Sequence, residues 1–458
     1  MKNMRFSDEF LAEVRDRNEI VDVISSYVDL RVRGANATGL CPFHNEKTPS
    51  FTVYINNQSY YCFGCGSGGD VISFIKNIEN LHYAEAVAML AERSGLPMPA
   101  DGFDDGVAKM KRRMLDANRE AARFFYSCMM SPEGKTGLDY FIGRGLSPET
   151  IRHFGLGYAP DKWDSLVRYM RKKGYTDSEL FSADLAYKTK NGGIIDKFRN
   201  KAMFPIIDVK GSVIAFGGRA LDDSKPKYVN TSDTLVYKKS YNIFALNLAK
   251  KSSKDSLILC EGYMDVISMF QSGIENVVAS SGTSLTEGQI RLIHRFTENV
   301  TVIYDGDAAG IKASLRGIDM LLAEGLNIKV LLLPDGDDPD SFARKHSAQE
   351  LADYIKENET DFIRFKTSIL LEGAENDPIV KSKVINDIVR SISFIPNNIT
   401  RSVYAKECSR MLEIEEKTLN LRLNKLLKER IEKTADKTQR DYTRASIEEI
   451  EEQIAILE

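Results

Sequence analysis

The sequence predicts a multidomain α/β protein with a helical C-terminal region. Its 458 residues are too many for one ordinary domain, and 43% apolar with 28% charged residues is a typical globular composition. Short apolar runs at 257–260, 277–279, 300–304 and 328–333 alternate with amphipathic helical patterns. This alternation is typical of βαβ units that share a parallel sheet.

Carboxylate side chains follow three of these apolar runs. They are Glu261 after the first run, Asp305 and Asp307 after the third, and Asp338 and Asp340 after the fourth. Because the carboxyl ends of parallel strands share one edge of the sheet, we expect these acids to lie close together. Clustered carboxylates repel one another, and a divalent cation relieves that repulsion while binding substrate phosphates. Taken singly, Asp307, Asp338 or Asp340 could instead be a helix N-cap.

The segments around these acids resemble a known family. EGYMD at Glu261, DGDAAG at Asp305 and PDGDDPD at 334–340 resemble the Toprim domain of primases, topoisomerases and some nucleases. Together they resemble the DnaG-type bacterial primases in particular. The resemblance implies a DNA-directed RNA polymerase that builds short RNA primers from ribonucleoside triphosphates on single-stranded DNA during replication.

The same resemblance implies two-metal nucleotidyl transfer, with Mg²⁺ or Mn²⁺ as the catalytic ions. The predicted catalytic and metal-binding residues are Glu261, Asp305, Asp307, Asp338 and Asp340. Asp305, Asp307 and Asp338 are the leading ligand candidates, and Asp340 follows them. Glu261 is predicted to be a base or an outer-shell ligand, and Asp265, one helical turn further on, is a weaker candidate.

A second metal site is predicted near the N-terminus. Two residues separate Cys41 from His44, and two separate Cys62 from Cys65. Paired ligands at this spacing suit one tetrahedral Zn²⁺, and four protein ligands leave no open position, so this zinc is expected to be structural. An iron–sulfur cluster is a weaker alternative because histidine ligation is less usual there. The segments between the pairs alternate like a hairpin, which predicts a zinc ribbon resembling the template-selecting zinc domain of primases.

Basic residues recur at predicted strand ends and loops of the middle region. They are Arg144, Arg199, Lys201, Arg219, Lys227 and Lys239, and we predict that they bind template or nucleotide phosphates. Each one alone could be ordinary surface. The segments FRN, MFPI, FGGR and PKY in this region also resemble the primase core. A net charge of −4 gives no support to nucleic-acid binding, although local basic patches permit it.

Composition and periodicity divide the chain into domains. The prediction is a zinc-ribbon DNA-binding domain at 1–100, a linker at 101–106, the N-terminal part of the polymerase core at 107–250, a Toprim catalytic unit at 251–345, a helical subdomain at 346–431, and a linker with the start of a C-terminal helix at 432–458. Helices are expected at 6–30, 70–93, 107–130, 347–371, 376–394, 400–413 and 416–430. The primase family has a helicase-binding domain after the core, so a replicative helicase is an implied partner, with its docking domain expected to be absent or truncated here.

Several other classes of protein are disfavoured. No apolar run is long enough to span a membrane, and the N-terminus lacks the apolar core of a signal peptide, so a cytoplasmic location without membrane contact is expected. EGKTG at 133–137 lacks the first glycine of a Walker A motif, which argues against a fused helicase motor. A Toprim nuclease or topoisomerase, and a zinc-ribbon DNA-binding protein with an inactive acidic pocket, remain the alternatives.

Overall fold

The computed structural model of the chain describes residues 6–44, 49–79, 83–98, 105–282, 285–304, 317–334, 336–371 and 377–430. The chain divides into two compact units. The first takes in residues 1–104, 322–325 and 363–458, and the second takes in residues 105–321 and 326–362.

An antiparallel sheet forms the N-terminal part of the first unit. Its strands pair in chain order: β1 (Arg31–Arg33), β2 (Asn36–Gly39), β3 (Phe51–Tyr54), β4 (Ser59–Cys62) and β5 (Gly68–Asp70). Four helices accompany it: α1 (Asp8–Asp16), α2 (Ile20–Ser25), α3 (Val71–Ile78) and α4 (Tyr83–Arg93). Phe51 and Tyr60 stack with their ring centroids 5.2 Å apart, and Phe74 meets both rings edge-on. This aromatic cluster supplies much of the core of a small domain.

The continuous helix predicted over 6–30 is wrong, because the structure has two helices there. Asn18 lies between the two helices and is fully buried. Its side-chain amide donates to the carbonyl oxygens of Val14 and Leu90 at 2.8 and 3.0 Å. Glu19 then caps α2 by accepting a backbone N–H of the first turn at 3.0 Å. Periodicity of the apolar residues did not reveal this break, because both helices bury apolar faces against one core. The helix predicted over 70–93 is likewise two helices, α3 and α4.

The first half of the second unit is a mixed α/β region. It starts with the 25-residue helix α5 (Asp105–Met129), two residues before the predicted start at 107. Its other helices are α6 (Lys135–Gly143), α7 (Pro148–His153), α8 (Ser165–Lys172), α9 (Asp177–Ser182) and α10 (Leu246–Ala249). Its strands are β6 (Gly157–Ala159), β7 (Ala186–Lys188), β8 (Ile194–Asp196), β9 (Lys201–Ile207), β10 (Val213–Ala220) and β11 (Tyr228–Asn230). An antiparallel sheet has the order β11-β10-β9-β6, and β7 and β8 form a separate hairpin.

The second half of this unit contains the predicted parallel sheet. Its strands are β12 (Leu257–Cys260), β13 (Val277–Ala279), β14 (Asn299–Tyr304), β15 (Asn327–Leu332) and β16 (Thr360–Asp361), in the order β13-β12-β14-β15-β16. All neighbours are parallel except β15 and β16. The helices are α11 (Tyr263–Gln271), α12 (Glu287–His294), α13 (Pro339–Lys345) and α14 (Ala348–Asn358), and residues 317–323 are also helical. The predicted fold class is confirmed.

The edge strand β16 corrects the prediction of one helix over 347–371. Glu359, directly before this strand, accepts a hydrogen bond from the Thr301 hydroxyl at 3.1 Å and forms an ion pair with Lys329. These contacts hold the chain against β14 and β15, so it becomes extended and pairs antiparallel with β15. The sheet therefore continues past residue 345, where the predicted Toprim unit ends.

Helices form the C-terminal part of the first unit. They are α15 (Phe362–Leu371), α16 (Pro378–Phe394) and α17 (Asn398–Leu412), and residues 416–430 are also helical, close to the predicted ranges. The buried ammonium of Lys366 donates to the Ser391 hydroxyl at 2.8 Å and pairs with Asp387 at 3.0 Å. The predicted linker and helix at 432–458, and most of the predicted linker at 101–106, lie outside the described residues. Within the described ranges, every helix is too short or too polar to cross a membrane.

Candidate zinc centre and acidic active site

The structure brings the four predicted zinc ligands together. Donor atoms of Cys41, His44, Cys62 and Cys65 all lie within 4.8 Å of one another. The Sγ atoms of Cys41 and Cys65 are 3.7 Å apart, and Cys62 Sγ is 3.6 Å from His44 Nδ1. Tetrahedral ligands at Zn–S bonds of about 2.3 Å would be about 3.7 Å apart, whereas a disulfide needs about 2 Å between its sulfurs. The residues therefore fit one structural Zn²⁺.

The backbone around this cluster supports thiolates. The N–H of Phe43 points at Cys41 Sγ at 3.4 Å, and the N–H of Gly64 points at Cys62 Sγ at 3.3 Å. Gly64 also lies against the imidazole, since a Cβ at this position would be 2.4 Å from Nε2 of His44. Only glycine leaves room for the ring beside the thiolates.

Protonation of the thiols is coupled within the cluster. The hydrogen bond from Cys41 lowers the pKa of Cys65 to about 4. The same contact, together with burial, raises the pKa of Cys41. The lowered pKa favours the thiolate form of Cys65, and the raised pKa favours the protonated form of Cys41. Binding of a metal would release the Cys41 proton.

Two candidate acids lie near the carboxyl end of β12. Glu261 directly follows β12, its side chain is exposed, and its backbone carbonyl accepts the Gly282 N–H at 3.4 Å. Asp265, in the first turn of α11, is half-buried and accepts the Gly262 N–H at 2.8 Å. Within the described chain, no hydrogen bond or ion pair engages the Glu261 carboxylate. It is therefore available to a ligand.

The central pair of predicted ligands, Asp305 and Asp307, lies outside the described residues. The strand that leads to them is described: β14 lies between β12 and β15 and pairs with both in parallel. Tyr304, the last residue of β14, pairs with Leu332 near the end of β15. The chain therefore leaves β14 at the same edge as it leaves β12 and β15.

Asp338 has a structural role that the sequence already allowed. It is the N-cap of α13, and its Oδ1 accepts the Ser341 N–H at 2.6 Å. The residue is exposed, and one carboxylate oxygen is enough for the cap. Capping therefore fixes the orientation of Asp338 through one oxygen, and the other oxygen takes no part in the cap.

Asp340 differs from the other acids because it is buried, with 1% of its surface exposed. One oxygen lies 2.5 Å from Nη2 of Arg144, and the other accepts the Ser268 hydroxyl at 2.5 Å and lies 3.4 Å from Nε of Arg344. Both oxygens are engaged by protein groups. Hence this structure does not present Asp340 as an open metal ligand, and it gives Arg144 a carboxylate partner.

Arg219, in β10, packs against two tyrosines. Its guanidinium donates to the Tyr140 hydroxyl at 2.5 Å and lies 5.8 Å from the ring centroid of Tyr228. Burial raises the pKa of Tyr228; Asp265 raises it further, while Arg219 and Arg144 oppose the rise. Two predicted basic residues and one candidate acid therefore act electrostatically on a single phenol.

The start of α11 is held close to this sheet by a glycine. A Cβ at Gly217 in β10 would lie 2.5 Å from the ring of Tyr263, the first residue of α11. The Tyr263 ring stacks on Phe204 with 5.1 Å between centroids, and its hydroxyl donates to the Asn230 side chain at 3.0 Å. This packing fixes the position of the turn that carries Glu261.

The remaining predicted basic residues lie elsewhere in the second unit. Arg199 stacks over the Trp163 ring at 3.8 Å and pairs with Asp161 at 3.3 Å. Lys201 follows it at the start of β9, and burial lowers its pKa. Lys227 is exposed before β11, and Lys239 begins a short 3₁₀ turn. In the described part of the chain, no hydrogen bond or ion pair joins any of these four to Glu261 or Asp338.

Sequence reasoning missed several residues of the site. Ser268 is one, although a serine within the apolar helix YMDVISMF, one turn after Asp265, was a usable signal. Tyr140 and Tyr228 are others, and they had no signal, since nineteen tyrosines are spread through the chain. Only their contacts with Arg219, which lies on a different element, identify these two tyrosines as residues of the site.

Fold and site together define a class: a nucleic-acid enzyme that joins a zinc ribbon to a Toprim-type acidic sheet edge. Three families match, described as CHC2 zinc finger over residues 6–104, DNA primase catalytic core, N-terminal domain, over 124–250, and Toprim-like over 258–343.

Known proteins of the same architecture are similar over most of the chain. The DNA primase of Clostridium acetobutylicum is 41% identical over 427 residues, which are 92% of this chain and 70% of that protein. The crystal structure of the zinc-binding and RNA polymerase domains of the Aquifex aeolicus primase is 32% identical with a TM-score of 0.60, covering 90% of this chain and 98% of that one. A DnaG primase catalytic domain bound to single-stranded DNA is 30% identical with a TM-score of 0.59, covering 66% of this chain and 99% of that one.

The chain belongs to the DnaG-type bacterial DNA primase family. Its activity is that of a primase, a DNA-dependent RNA polymerase that makes RNA primers on single-stranded DNA for replication. The predicted family and enzyme class are confirmed, and the nuclease, topoisomerase and inactive-pocket alternatives are set aside.

Proposed function

We propose that primer synthesis takes place at the carboxyl edge of the β12-β14-β15 sheet by two-metal nucleotidyl transfer. The observation that carries this proposal is the strand order. Adjacent parallel strands deliver the Glu261 turn, the segment after Tyr304 and the Asp338 cap to one edge. Single-stranded DNA is the template, ribonucleoside triphosphates are the substrates, and a short RNA primer is the product.

The acids would have two roles, as metal ligands and as a base or outer-shell partner. Asp305, Asp307 and Asp338 would hold the metals, and Glu261 would serve as a base or an outer-shell partner. Two Mg²⁺ or Mn²⁺ ions, when bound, would neutralise the triphosphate and orient the attacking 3′-hydroxyl. Asp340 takes a different part from the one predicted: it fixes α13, and thereby the Asp338 cap, through its ion pair with Arg144.

The basic residues would orient phosphates. Arg144 can still meet a phosphate while it is paired with Asp340, because 30% of its side chain is exposed. Arg219 is held over the rings of Tyr140 and Tyr228. We assign Arg199, Lys201, Lys227 and Lys239 to the template or product strand, as the similarity to a primase bound to single-stranded DNA supports.

The zinc module would contact the template. Its zinc holds the ribbon, and its exposed aromatic side chain Phe63 suits contact with unpaired bases. The domain bounds, the cytoplasmic location and a replicative helicase as partner stay predictions from the sequence and the family resemblance.

Unprimed synthesis on single-stranded DNA tests the proposal. Labelled ribonucleotides are supplied with Mg²⁺, with Mn²⁺ or with a chelator, and cleavage of the same DNA is assayed in parallel. Short RNA that requires the metal supports two-metal transfer. Metal-dependent cleavage without RNA would overturn it and favour a nuclease.

A further inference from the structure

A groove in the C-terminal helical region contains no residue of the zinc centre or of the predicted catalytic set. Two helices form it, α16 and the helix over 416–430, and its volume is about 640 Å³, a usual size for a small-molecule site. Its charged lining residues are four cations and two carboxylates: Lys383, Arg390, Arg422, Arg430, Asp387 and Glu429. The groove is therefore basic, in a chain whose net charge is −4.

Both carboxylates of the groove already have cationic partners. Asp387 pairs at 3.0 Å with Lys366, whose ammonium is buried beneath α16. Glu429 lies 3.9 Å from Arg422, and Arg422 also donates to the Asn386 side chain at 2.8 Å. These contacts neutralise the acids and leave other cations of the groove without a carboxylate.

Lys383 and Arg390 are the exposed cations of the groove. They lie seven residues apart on α16, which places them two turns apart on one face of the helix. Within the described chain, no hydrogen bond or ion pair engages either side chain. A ligand that carries several negative groups can therefore meet both cations together.

A third cation of the groove is partly removed from water. Arg430 donates to the carbonyl oxygen of Ser393 at 2.5 Å, and its guanidinium stacks 4.5 Å from the centroid of the Phe394 ring. Burial lowers the pKa of Arg430, and the charge of Arg401 lowers it further. A bound anion would relieve this repulsion between two guanidinium groups.

We propose that this groove binds the polyphosphate chain of a free nucleotide. The planar guanidinium of Arg390 can donate two parallel hydrogen bonds to one phosphate, and the Lys383 ammonium can pair with another phosphate as a point charge. A polyphosphate places several negative charges in a short chain, which matches several cations in one small groove. The proposal goes beyond the proposed function, because it needs no residue of the acidic edge.

Chemical modification of lysines tests the proposal at the groove. The full chain, with zinc and without Mg²⁺, is treated briefly with an amine-acetylating reagent, with and without sodium tripolyphosphate. Peptide mass spectrometry then measures the acetylation of each lysine. Saturating tripolyphosphate should slow the acetylation of Lys383 by about tenfold. Lys406 and Lys417 are exposed and do not line the groove, so their acetylation should not change.

A variant links this protection to the guanidinium. Arg390→Gln should raise the tripolyphosphate concentration that half-protects Lys383 by about tenfold, because it removes hydrogen bonds between charged groups. Arg410→Gln is the matched control, since Arg410 is exposed on α17 and pairs with Glu407 of the same helix. The control should leave the protection unchanged, and urea unfolding shows that both variants fold.

Further probes identify the source of the phosphate. ATP should protect Lys383 as tripolyphosphate does, and adenosine should not. If oligothymidylate protects Lys383 at a lower phosphate concentration than ATP, the proposal is overturned and the groove is assigned to a nucleic-acid backbone. Equal acetylation of Lys383 with and without tripolyphosphate would also overturn it. Primer synthesis is not part of this readout, so either result leaves the proposed function standing.

Discussion

Arg144 and Asp340, one predicted to bind phosphate and the other to bind metal, are partners in an ion pair. Arg144 Nη2 lies 2.5 Å from Oδ2 of Asp340, whose side chain is 1% exposed. The pair joins the turn after α6 to α13, whose N-cap is Asp338. Breaking it should therefore disturb the fold and the catalytic edge together.

Asp340→Asn is expected to lower the free energy of unfolding by about 2–3 kcal/mol, because it leaves the guanidinium of Arg144 without its charge partner. The loss should appear in urea unfolding with a chelator present. Asp353→Asn on the surface of α14, where the carboxylate accepts hydrogen bonds from Gln349 of the same helix, is the matched control. A loss seen only with Mg²⁺ present would instead make Asp340 a metal ligand.

Gly64→Ala should weaken zinc binding by about tenfold to a hundredfold, since the added Cβ would lie 2.4 Å from His44 Nε2 and displace the ring. Competition with a chromophoric chelator measures the affinity. Gly143→Ala adds the same methyl group where no atom lies within 4 Å and should leave zinc affinity unchanged. Equal affinities for both variants and the wild type would show that the imidazole is not held against Gly64.

Glu179 should make stability depend on pH below neutrality. Its hydrogen bonds with Arg113 lower the pKa of Glu179 to about 2, below its usual 4.5. A depressed carboxyl pKa contributes stability that is fully present above pH 4.5 and is lost as the pH falls toward 2. At pH 7 Glu179→Gln should cost about 1 kcal/mol, allowing for solvent screening. Urea unfolding of both proteins at pH 7 and pH 3 checks this, and an equal difference at both values would contradict it.

Local patterns in the sequence predicted the fold class and the zinc centre. The four ligands form paired motifs, and the parallel strands are continuous apolar runs, because they are buried on both faces. Asn18 and β16 were missed because their conformation depends on distant groups, the Leu90 carbonyl and the edge of β15. No local pattern could reveal that Arg144 pairs with Asp340, since the partners are far apart in sequence and only the packed unit joins them.

The central claim, that the acidic edge makes primers, is tested most directly by unprimed RNA synthesis on single-stranded DNA by the wild type and by Asp305→Ala/Asp307→Ala. Zinc content and urea unfolding of both proteins show whether the variant folds, and Asp353→Ala controls for loss of an acid elsewhere. We predict short, metal-dependent RNA from the wild type and the control, and a fall of about a hundredfold or more in the double variant. A folded double variant that still makes primers at the wild-type rate would contradict the account.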